Sequence, residues 1–256
     1  LRGDIGIDYK LPWYGLIATG EIMVSRDIDN VFQYNANLPN AQSTLSSASG
    51  DNRPRWTNNR ANPALGQAFV LSNTNQGYST VISLGIARQA RKGLYGSFFY
   101  TRTISEDVSS NPGSQASSAW NSLPNNSSPN TQMLATSQYN TPHRLVGSLS
   151  YKFEYGNKKQ LGTTVSIFFE GANPGRISYM YANDVNGDGS ASDLIFIPNK
   201  GSDMNWQAFT ANYRDANGVT QTRTISVADQ IAAWDAFVAQ DEYLSANKGK
   251  YAQRYV

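Results

Sequence analysis

Three pairs of alternating apolar and polar segments follow one another along the chain, and a short turn joins each pair. In the central pair, Ile82, Leu84 and Ile86 recur at every second position, with small or polar residues between them. This two-residue period is that of a β-strand, whose successive side chains point to opposite faces. The second arm returns after a charged turn, Arg91 to Gly93. Each arm has about ten residues, which is the length of a tilted strand that crosses a bilayer and exceeds the average strand.

The other two pairs repeat this pattern, at residues 4–11 with 16–25 and at 145–153 with 161–170. The connections between pairs are long and rich in Asn, Ser and Pro, and we expect them to be irregular loops over residues 26–76 and 105–142. Short turns at one end of a sheet and long loops at the other are typical of outer-membrane β-barrels. We therefore predict an all-β fold, an antiparallel transmembrane β-barrel segment over residues 1–171. The alternative is a secreted β-sandwich with large loops.

The remainder, residues 172–256, lacks such strand pairs, and we expect an extracellular loop region with one helix. Ser226 and Asp229 have the spacing of a capping box, and apolar residues follow at helical intervals. This pattern predicts a short helical tail at about residues 227–247, with Gly249 as its end. We expect the helix to dock over the mouth of the barrel.

The composition differs from that of a typical soluble domain. Only 16% of the residues are charged, against about a quarter in a typical soluble domain, and tyrosine is abundant, with 15 residues. Tyrosine suits the boundary between membrane and water. The net charge of +2 gives no reason to expect nucleic acid as a partner, and the absence of cysteine excludes disulfides and thiolate metal sites. No apolar run is long enough for a transmembrane helix.

The sharpest chemical motif lies at residues 184–193, where D-x-N-x-D-G matches the first half of a calcium-binding loop of the EF-hand type. Oxygen ligands at positions one, three and five, and a glycine at six, are what such a loop requires. Position twelve, which should carry a bidentate carboxylate, is Ile195. The alternative is an ordinary turn, because turns use the same residue types. The candidate Ca²⁺ ligands are Asp184, Asn186, Asp188, Ser190, Ser192 and Asp193.

A second candidate site is a basic and aromatic cluster in the first long loop. Its members are Arg53, Arg55, Trp56 and Arg60, which we expect either to face a ligand or to lie in a solvated loop. The single histidine, His143, follows a proline at the start of a strand and is expected to be a structural hydrogen-bonding residue. One histidine leaves almost no material for a catalytic triad, and we expect no enzymatic activity.

Four stretches together resemble the C-terminal half of the barrel in Oar-like TonB-dependent outer-membrane receptors, which are related to SusC-type transporters. The most specific pieces lie within the last two stretches, at residues 184–198 and 240–252. The stretches are residues 11–38, 141–153, 175–198 and 237–254.

The resemblance implies a 22-stranded barrel in the outer membrane of a Gram-negative bacterium, of which these residues form a fragment that ends before the last strands. It also implies ligand binding at extracellular loops and import driven by the TonB complex. The plug and TonB box of such receptors are absent from the 256 residues, so contact with TonB would use a region outside them. Expected partners are outer-membrane lipid, the TonB complex and a surface lipoprotein. The alternative function is a non-transporting barrel that serves as an adhesin or a surface-assembly component.

Overall fold

The structure is a computed structural model that describes residues 1–91, 93–173 and 175–256. Strands account for 44% and helices for 12% of the residues, and every sheet is antiparallel, which confirms the expected all-β class. The strands are β1 Arg2–Lys10, β2 Leu16–Arg26, β3 Asn30–Asn35, β4 Ser43–Thr44, β5 Pro54–Arg55, β6 Phe69–Thr74, β7 Gly77–Arg91, β8 Leu94–Asp107, β9 Ala135–Thr136, β10 His143–Tyr155, β11 Leu161–Ala172, β12 Phe196–Ile197, β13 Phe209–Arg214, β14 Thr220–Ile225 and β15 Lys250–Tyr251. The α-helices are α1 Ala116–Asn121, α2 Val227–Ala239 and α3 Glu242–Ala246, and short 3₁₀ turns lie at Asn157–Lys159 and Gly201–Asp203.

The predicted strand pairs form the main sheet, which has the order β1-β2-β7-β8-β10-β11 with β9 added at one end of β8. Over the described residues this sheet is open and does not close into a barrel. Its hairpins β1-β2, β7-β8 and β10-β11 lie where the alternation predicts them. Lys92, in the middle of the predicted central turn, lies outside the described residues.

The register of the main sheet places apolar side chains on one face across all six long strands. Directly paired residues share a face, so each line of pairs forms a row across the sheet. One such row is wholly apolar or small: Tyr9, Ala18, Ile86, Phe98, Gly147 and Phe169. Neighbouring rows on the same face carry Ile7, Leu84, Leu149 and Ile167, all of which are exposed.

The opposite face of the main sheet is predominantly polar, and its side chains bond to one another across the strands. Thr19 donates to Asp8 at 2.6 Å, and the hydroxyls of Ser97 and Ser148 lie 2.8 Å apart. Those of Ser150 and Ser166 are also 2.8 Å apart. The apolar Phe168 lies on this face as well, as its position in the alternation predicts. The two faces therefore differ in chemistry along the whole sheet.

The two long connections and the segment that follows β11 lie at the same end of the sheet and pack together into a structure that we call the cap. Its three parts are residues 27–76, 108–142 and 173–256 in the described ranges, and we refer to them as the first, second and third connections. The prediction that residues 26–76 are irregular is wrong, because β3 and β6 pair within them. The second connection begins after Asp107 rather than at residue 105 and contains α1. β3 and β6 contain polar residues at several positions, so their apolar and polar residues do not alternate clearly. The sequence pattern therefore did not predict these two strands.

The third connection contains the expected helix, which begins at Val227 after the Ser226 capping box. The helix is interrupted at Gln240 and Asp241, and Asp241 caps a separate helix, α3. The connection also contains the β13-β14 hairpin, which the sequence pattern did not predict. None of the described helices is long and apolar enough to span a membrane.

The buried core of the protein lies in the cap and not against the sheet. One cluster joins α2 and α3 to β12, with Tyr179, Tyr181, Trp234 and Tyr243 packed around it. A second centre surrounds Trp120 of α1, whose ring lies 5.5 Å from that of Phe69. The first cluster consists of Ile195, Ile197, Val238, Leu244 and Ala252. The cap is thus a folded unit built from connections that are far apart in sequence.

Candidate functional site

The predicted acidic motif forms a closed loop inside the cap. An antiparallel bridge between Met180 and Leu194 joins its two ends, and Tyr181 N donates to the Asp193 carbonyl at 2.9 Å. Five of the six predicted ligands are buried, all except Asp184: Asn186, Asp188, Ser190, Ser192 and Asp193. Burial of so many polar side chains requires that their hydrogen-bonding groups find partners within the protein.

The first three motif residues turn their side-chain oxygens back onto the main chain of the loop. Asp184 accepts from Gly187 N at 2.6 Å and from Gly189 N at 2.8 Å. Asn186 accepts from Asp188 N at 3.0 Å, and Asp188 Oδ1 accepts from Ser190 N at 2.8 Å. These bonds fold the loop around its own oxygens, as the turn chemistry of Asp and Asn favours.

Asp188 has one oxygen without a partner. The residue is 2% exposed, and its Oδ2 makes no hydrogen bond to any described residue. Burial, and to a smaller extent the nearby Asp193 and Asp184 carboxylates, together raise the pKa of this carboxyl to about 7, against the hydrogen bond from Ser190 N. An unmatched buried acceptor of this kind costs about 1–3 kcal/mol.

Asp193, in contrast, is fully engaged. Its Oδ2 accepts from Val185 N at 2.8 Å, and its Oδ1 accepts from Arg53 Nη1 at 3.1 Å. Burial raises the pKa of Asp193, although Val185 N and Arg53 favour its charged form. The residue therefore fixes the end of the loop, and the adjacent Arg53 cation already offsets its charge.

Arg53 comes from the predicted basic cluster, yet it lies in the interior of the cap and not on a ligand-facing surface. It is 1% exposed, and its Nε donates to both oxygens of Asp51 at 3.0 Å. Its Nη2 donates to the Leu194 carbonyl at 2.7 Å, and the rings of Tyr181 and Tyr251 lie over its guanidinium. Burial opposes the charge, but the Asp51 and Asp193 carboxylates outweigh it and raise the pKa of Arg53.

Trp56 is buried as well and joins the two candidate motifs through its main chain. Its N–H donates to the Asn186 carbonyl at 2.7 Å, and its indole N–H donates to the Pro39 carbonyl at 2.7 Å. Gly187 has a φ of +81°, and a Cβ there would collide with the Trp56 carbonyl oxygen. The loop accordingly needs glycine at this position for both its conformation and its close approach.

The second long connection closes the other side of the acidic loop. The hydroxyls of Ser190 and Ser192 both donate to the Asn121 carbonyl, and Asn186 Nδ2 donates to the Ser127 carbonyl. All three connections of the cap therefore meet at residues 184–193.

Arg55 and Arg60 remain exposed, and Arg60 borders a polar cavity of about 260 Å³ beside the acidic loop. Gln67 Nε2, in the wall of this cavity, donates to the Gly189 carbonyl at 3.3 Å. Side-chain amides and a guanidinium at its wall supply donors and acceptors for a small polar ligand. The lining consists of Asn35, Asn59, Arg60, Gly66, Gln67, Asp188 and Gly189.

Over the described ranges, no three His, Cys, Asp or Glu side chains form a group that could hold a metal ion. His143 lies at the cap end of β10, where Tyr100 and Arg102 hydrogen-bond to its two ring nitrogens, both at 2.7 Å. This placement agrees with the structural role expected of it.

Sequence reasoning missed Asp51, Asn121 and the buried pair of Arg254 with Asp107. Arg254 donates to Asp107 Oδ1 at 3.0 Å and to the Val108 carbonyl at 2.7 Å, which ties the third connection to β8. Only the Asp51-Asn-Arg53 spacing carried a local signal, because Asp51 also accepts from Arg53 N. Asn121 acts through its carbonyl, which no sequence pattern reveals.

Comparisons of the chain with protein-family models, with curated proteins and with solved structures found no match.

Proposed function

We propose that this chain forms part of the wall and the external cap of a TonB-dependent transporter in the outer membrane of a Gram-negative bacterium. The observation that carries the membrane part of the proposal is the apolar face, which continues in register across six strands. Ile7, Leu84 and Ile167 on this face are 70%, 56% and 66% exposed. An apolar surface of this extent is unfavourable in water and suits the hydrocarbon of a bilayer.

Aromatic side chains at both ends of the apolar face support the same assignment. Tyr9, Tyr151 and Tyr155 lie toward the short turns, and Tyr78 lies at the cap end of β7. Membrane barrels carry such girdles at the two interfaces, because tyrosine has an apolar ring and a polar tip. Strands of 13 residues, such as β10, extend about 43 Å and would cross the bilayer at a tilt.

In the proposed barrel, the polar face would line the interior, and β1 and β11 would each pair with strands outside these 256 residues. A sheet edge cannot remain open in hydrocarbon, where unpaired N–H and C=O groups have no water to bond. The fragment would thus be one part of the 22-stranded barrel that the family resemblance implies.

The transport part of the proposal rests on that resemblance, and the cap supports it by offering a place for a ligand. The polar cavity at Arg60 opens beside the acidic loop, at the end of the sheet where the long connections lie. Long connections of outer-membrane barrels face the outside of the cell. We assign ligand contact to Arg60 and its cavity neighbours, and energy transfer to a plug and TonB box elsewhere in the protein.

Lipid contact can be tested with single cysteines, because the 256 residues contain none. Leu84→Cys and Ile167→Cys place a fluorophore on the apolar face, and the adjacent Ser83→Cys and Ser166→Cys place it on the polar face. In vesicles that contain doxyl-labelled lipids, we expect strong quenching only of the first pair. Equal quenching of both pairs, or a protein that stays in solution without detergent, would refute the membrane assignment.

Transport requires a separate experiment in the intact bacterium. Cells are given labelled oligosaccharides, peptides and ferric chelates, and uptake is compared among wild type, a deletion of this gene and a deletion of TonB. We expect one solute to be lost in both deletions, and to be reduced by Arg60→Ala but not by Arg55→Ala. If uptake is unchanged while adherence to surfaces is lost, the protein is an anchored surface component and not a transporter.

A further inference from the structure

The orphan oxygen of Asp188 sets the acidic loop apart from an ordinary turn. Asp184, Asn186 and Asp188 would make their turn-type hydrogen bonds both in a metal-binding loop and in an ordinary turn, so these bonds do not distinguish the two kinds of loop. Asp188 Oδ2, however, has no partner and essentially no accessible surface, while the residue as a whole is 2% exposed. Native proteins satisfy most buried polar atoms, and an exception needs a physical reason.

The charges around Asp188 do not provide that reason. Its neighbours include the carboxylates of Asp184 and Asp193. Arg53, a buried cation nearby, is already paired with Asp51 and Asp193. No salt bridge between described residues involves Asp188. The loop therefore buries more negative charge than its surroundings compensate.

Size decides between the possible occupants. A sugar or peptide group in the neighbouring cavity cannot touch an oxygen that a water molecule cannot reach. A dehydrated metal ion is smaller than these groups and is held directly between protein oxygens. The candidate donors are carboxylate, amide and main-chain carbonyl oxygens. Such a set favours Ca²⁺, which accepts mixed oxygen ligands in irregular geometry, over Mg²⁺, which demands a near-ideal octahedron.

We propose that the loop binds one Ca²⁺ through Asp188 Oδ2, with Asp184, Asn186 and the main-chain carbonyl of Ser190 as further ligands. Asp193 and Ser192 act as positioning residues, because Arg53 and Asn121 hold their side chains. The site thus consists of two carboxylates together with amide and main-chain oxygens. A site of this kind does not require three acidic side chains, and the described residues contain no such group of three. The loop would bind the ion whether or not the protein transports a ligand.

The ion would stabilise the meeting point of all three cap connections. Trp56 binds the Asn186 carbonyl, and Asn121 accepts from Ser190 and Ser192, so order in the loop extends to both neighbouring connections. Two carboxylates form a weakly charged site, and extracellular calcium modules bind with Kd values of about 10⁻⁴–10⁻³ M. We expect an affinity in this range.

The test is calorimetric titration of the intact purified protein with CaCl₂ after treatment with a chelator. Asp188→Asn keeps the size of the side chain and an acceptor for Ser190 N. Asp215→Asn is a matched control, because Asp215 also accepts main-chain bonds in a turn, at 2.9 Å from Asn217 N and Val219 N. We expect one site in the wild type, at least tenfold weaker binding in Asp188→Asn, and unchanged binding in Asp215→Asn.

A second measurement keeps the proposal testable if Asp188→Asn fails to fold. Tb³⁺ takes calcium sites, and the loop is bonded to Trp56, so excitation of tryptophan should sensitise Tb³⁺ emission that Ca²⁺ displaces. Absence of binding heat up to about 10 mM Ca²⁺, tenfold above the weak end of the range, would overturn the proposal. Sensitised emission that Ca²⁺ does not displace would overturn it too, as would full affinity in folded Asp188→Asn.

Discussion

Arg53 Nη1 lies 3.1 Å from Asp193 Oδ1, and both side chains are almost completely excluded from solvent. The two residues are 140 positions apart, so this ion pair joins the first and third connections of the cap. Asp51 completes the arrangement by accepting from Arg53 Nε at 3.0 Å. The cap is held together at this point by buried charge as well as by apolar packing.

Replacement of Arg53 by methionine should destabilise the cap strongly. The change leaves the carboxylates of Asp51 and Asp193 buried without a cation, which typically costs about 3–5 kcal/mol. The measurement is the thermal midpoint of cap unfolding, which is monitored by tryptophan fluorescence or by resistance to protease. Arg144→Met is the matched control, because its ion pair with Glu170 is about half exposed and is worth about 1 kcal/mol or less. Equal effects of the two changes would contradict the structural role of Arg53.

Gly187→Ala should separate two causes of glycine preference. The residue has a φ of +81°, and a Cβ would strike the Trp56 carbonyl, so we expect a loss of about 2–4 kcal/mol in cap stability. Gly218→Ala has nearly the same φ, +79°, but open space around its Cβ, and should lose only about 1 kcal/mol. Proteolysis of the cap in both variants measures the difference. If the losses are the same, the close approach to Trp56 has no energetic weight.

The stability of the ion-free cap should fall as the pH rises toward neutrality. Burial and the neighbouring carboxylates hold the pKa of Asp188 at about 7, above its ordinary value of 3.8, so the folded state binds more protons between these values. This contribution is complete below about pH 4 and is lost as the pH rises through 7, by up to roughly 4 kcal/mol. Thermal midpoints measured in chelator from pH 5 to 8 test it. Asp188→Asn, which does not titrate, should give a flatter profile, and an identical slope would refute the assignment to Asp188.

Ser226→Ala should loosen the first turn of α2 without unfolding the cap. Ser226 Oγ accepts from Asp229 N at 3.1 Å, and loss of such a cap costs about 1 kcal/mol. Amide hydrogen exchange in the first turn should accelerate about fivefold. Ser226→Asn retains a capping oxygen and should restore protection. Unchanged exchange in Ser226→Ala would show that packing alone holds the helix start.

The sequence by itself determined the elements whose signal is local. Alternation at residues 82, 84 and 86 predicted the central strand and its apolar face, and Ser226 with Asp229 predicted the start of α2. These features depend on the period of a strand and on the unpaired N–H groups of a helix end, which a few consecutive residues reveal. The shared apolar face also excludes pairings shifted by one residue, because such a shift would turn every side chain to the other face.

The tertiary structure alone decided how the cap is assembled. Nothing in the local sequence indicated that Arg53 would be buried against Asp193, or that Asn121 would hold Ser190 and Ser192 through its carbonyl. The local sequence also did not reveal the break between α2 and α3, where Asp241 caps α3. Contacts between residues more than a hundred positions apart depend on complementary shape and charge, which have no period along the chain. The motif at residues 184–193 was therefore recognisable in sequence, but the orphan oxygen of Asp188 became visible only when the three connections closed around it.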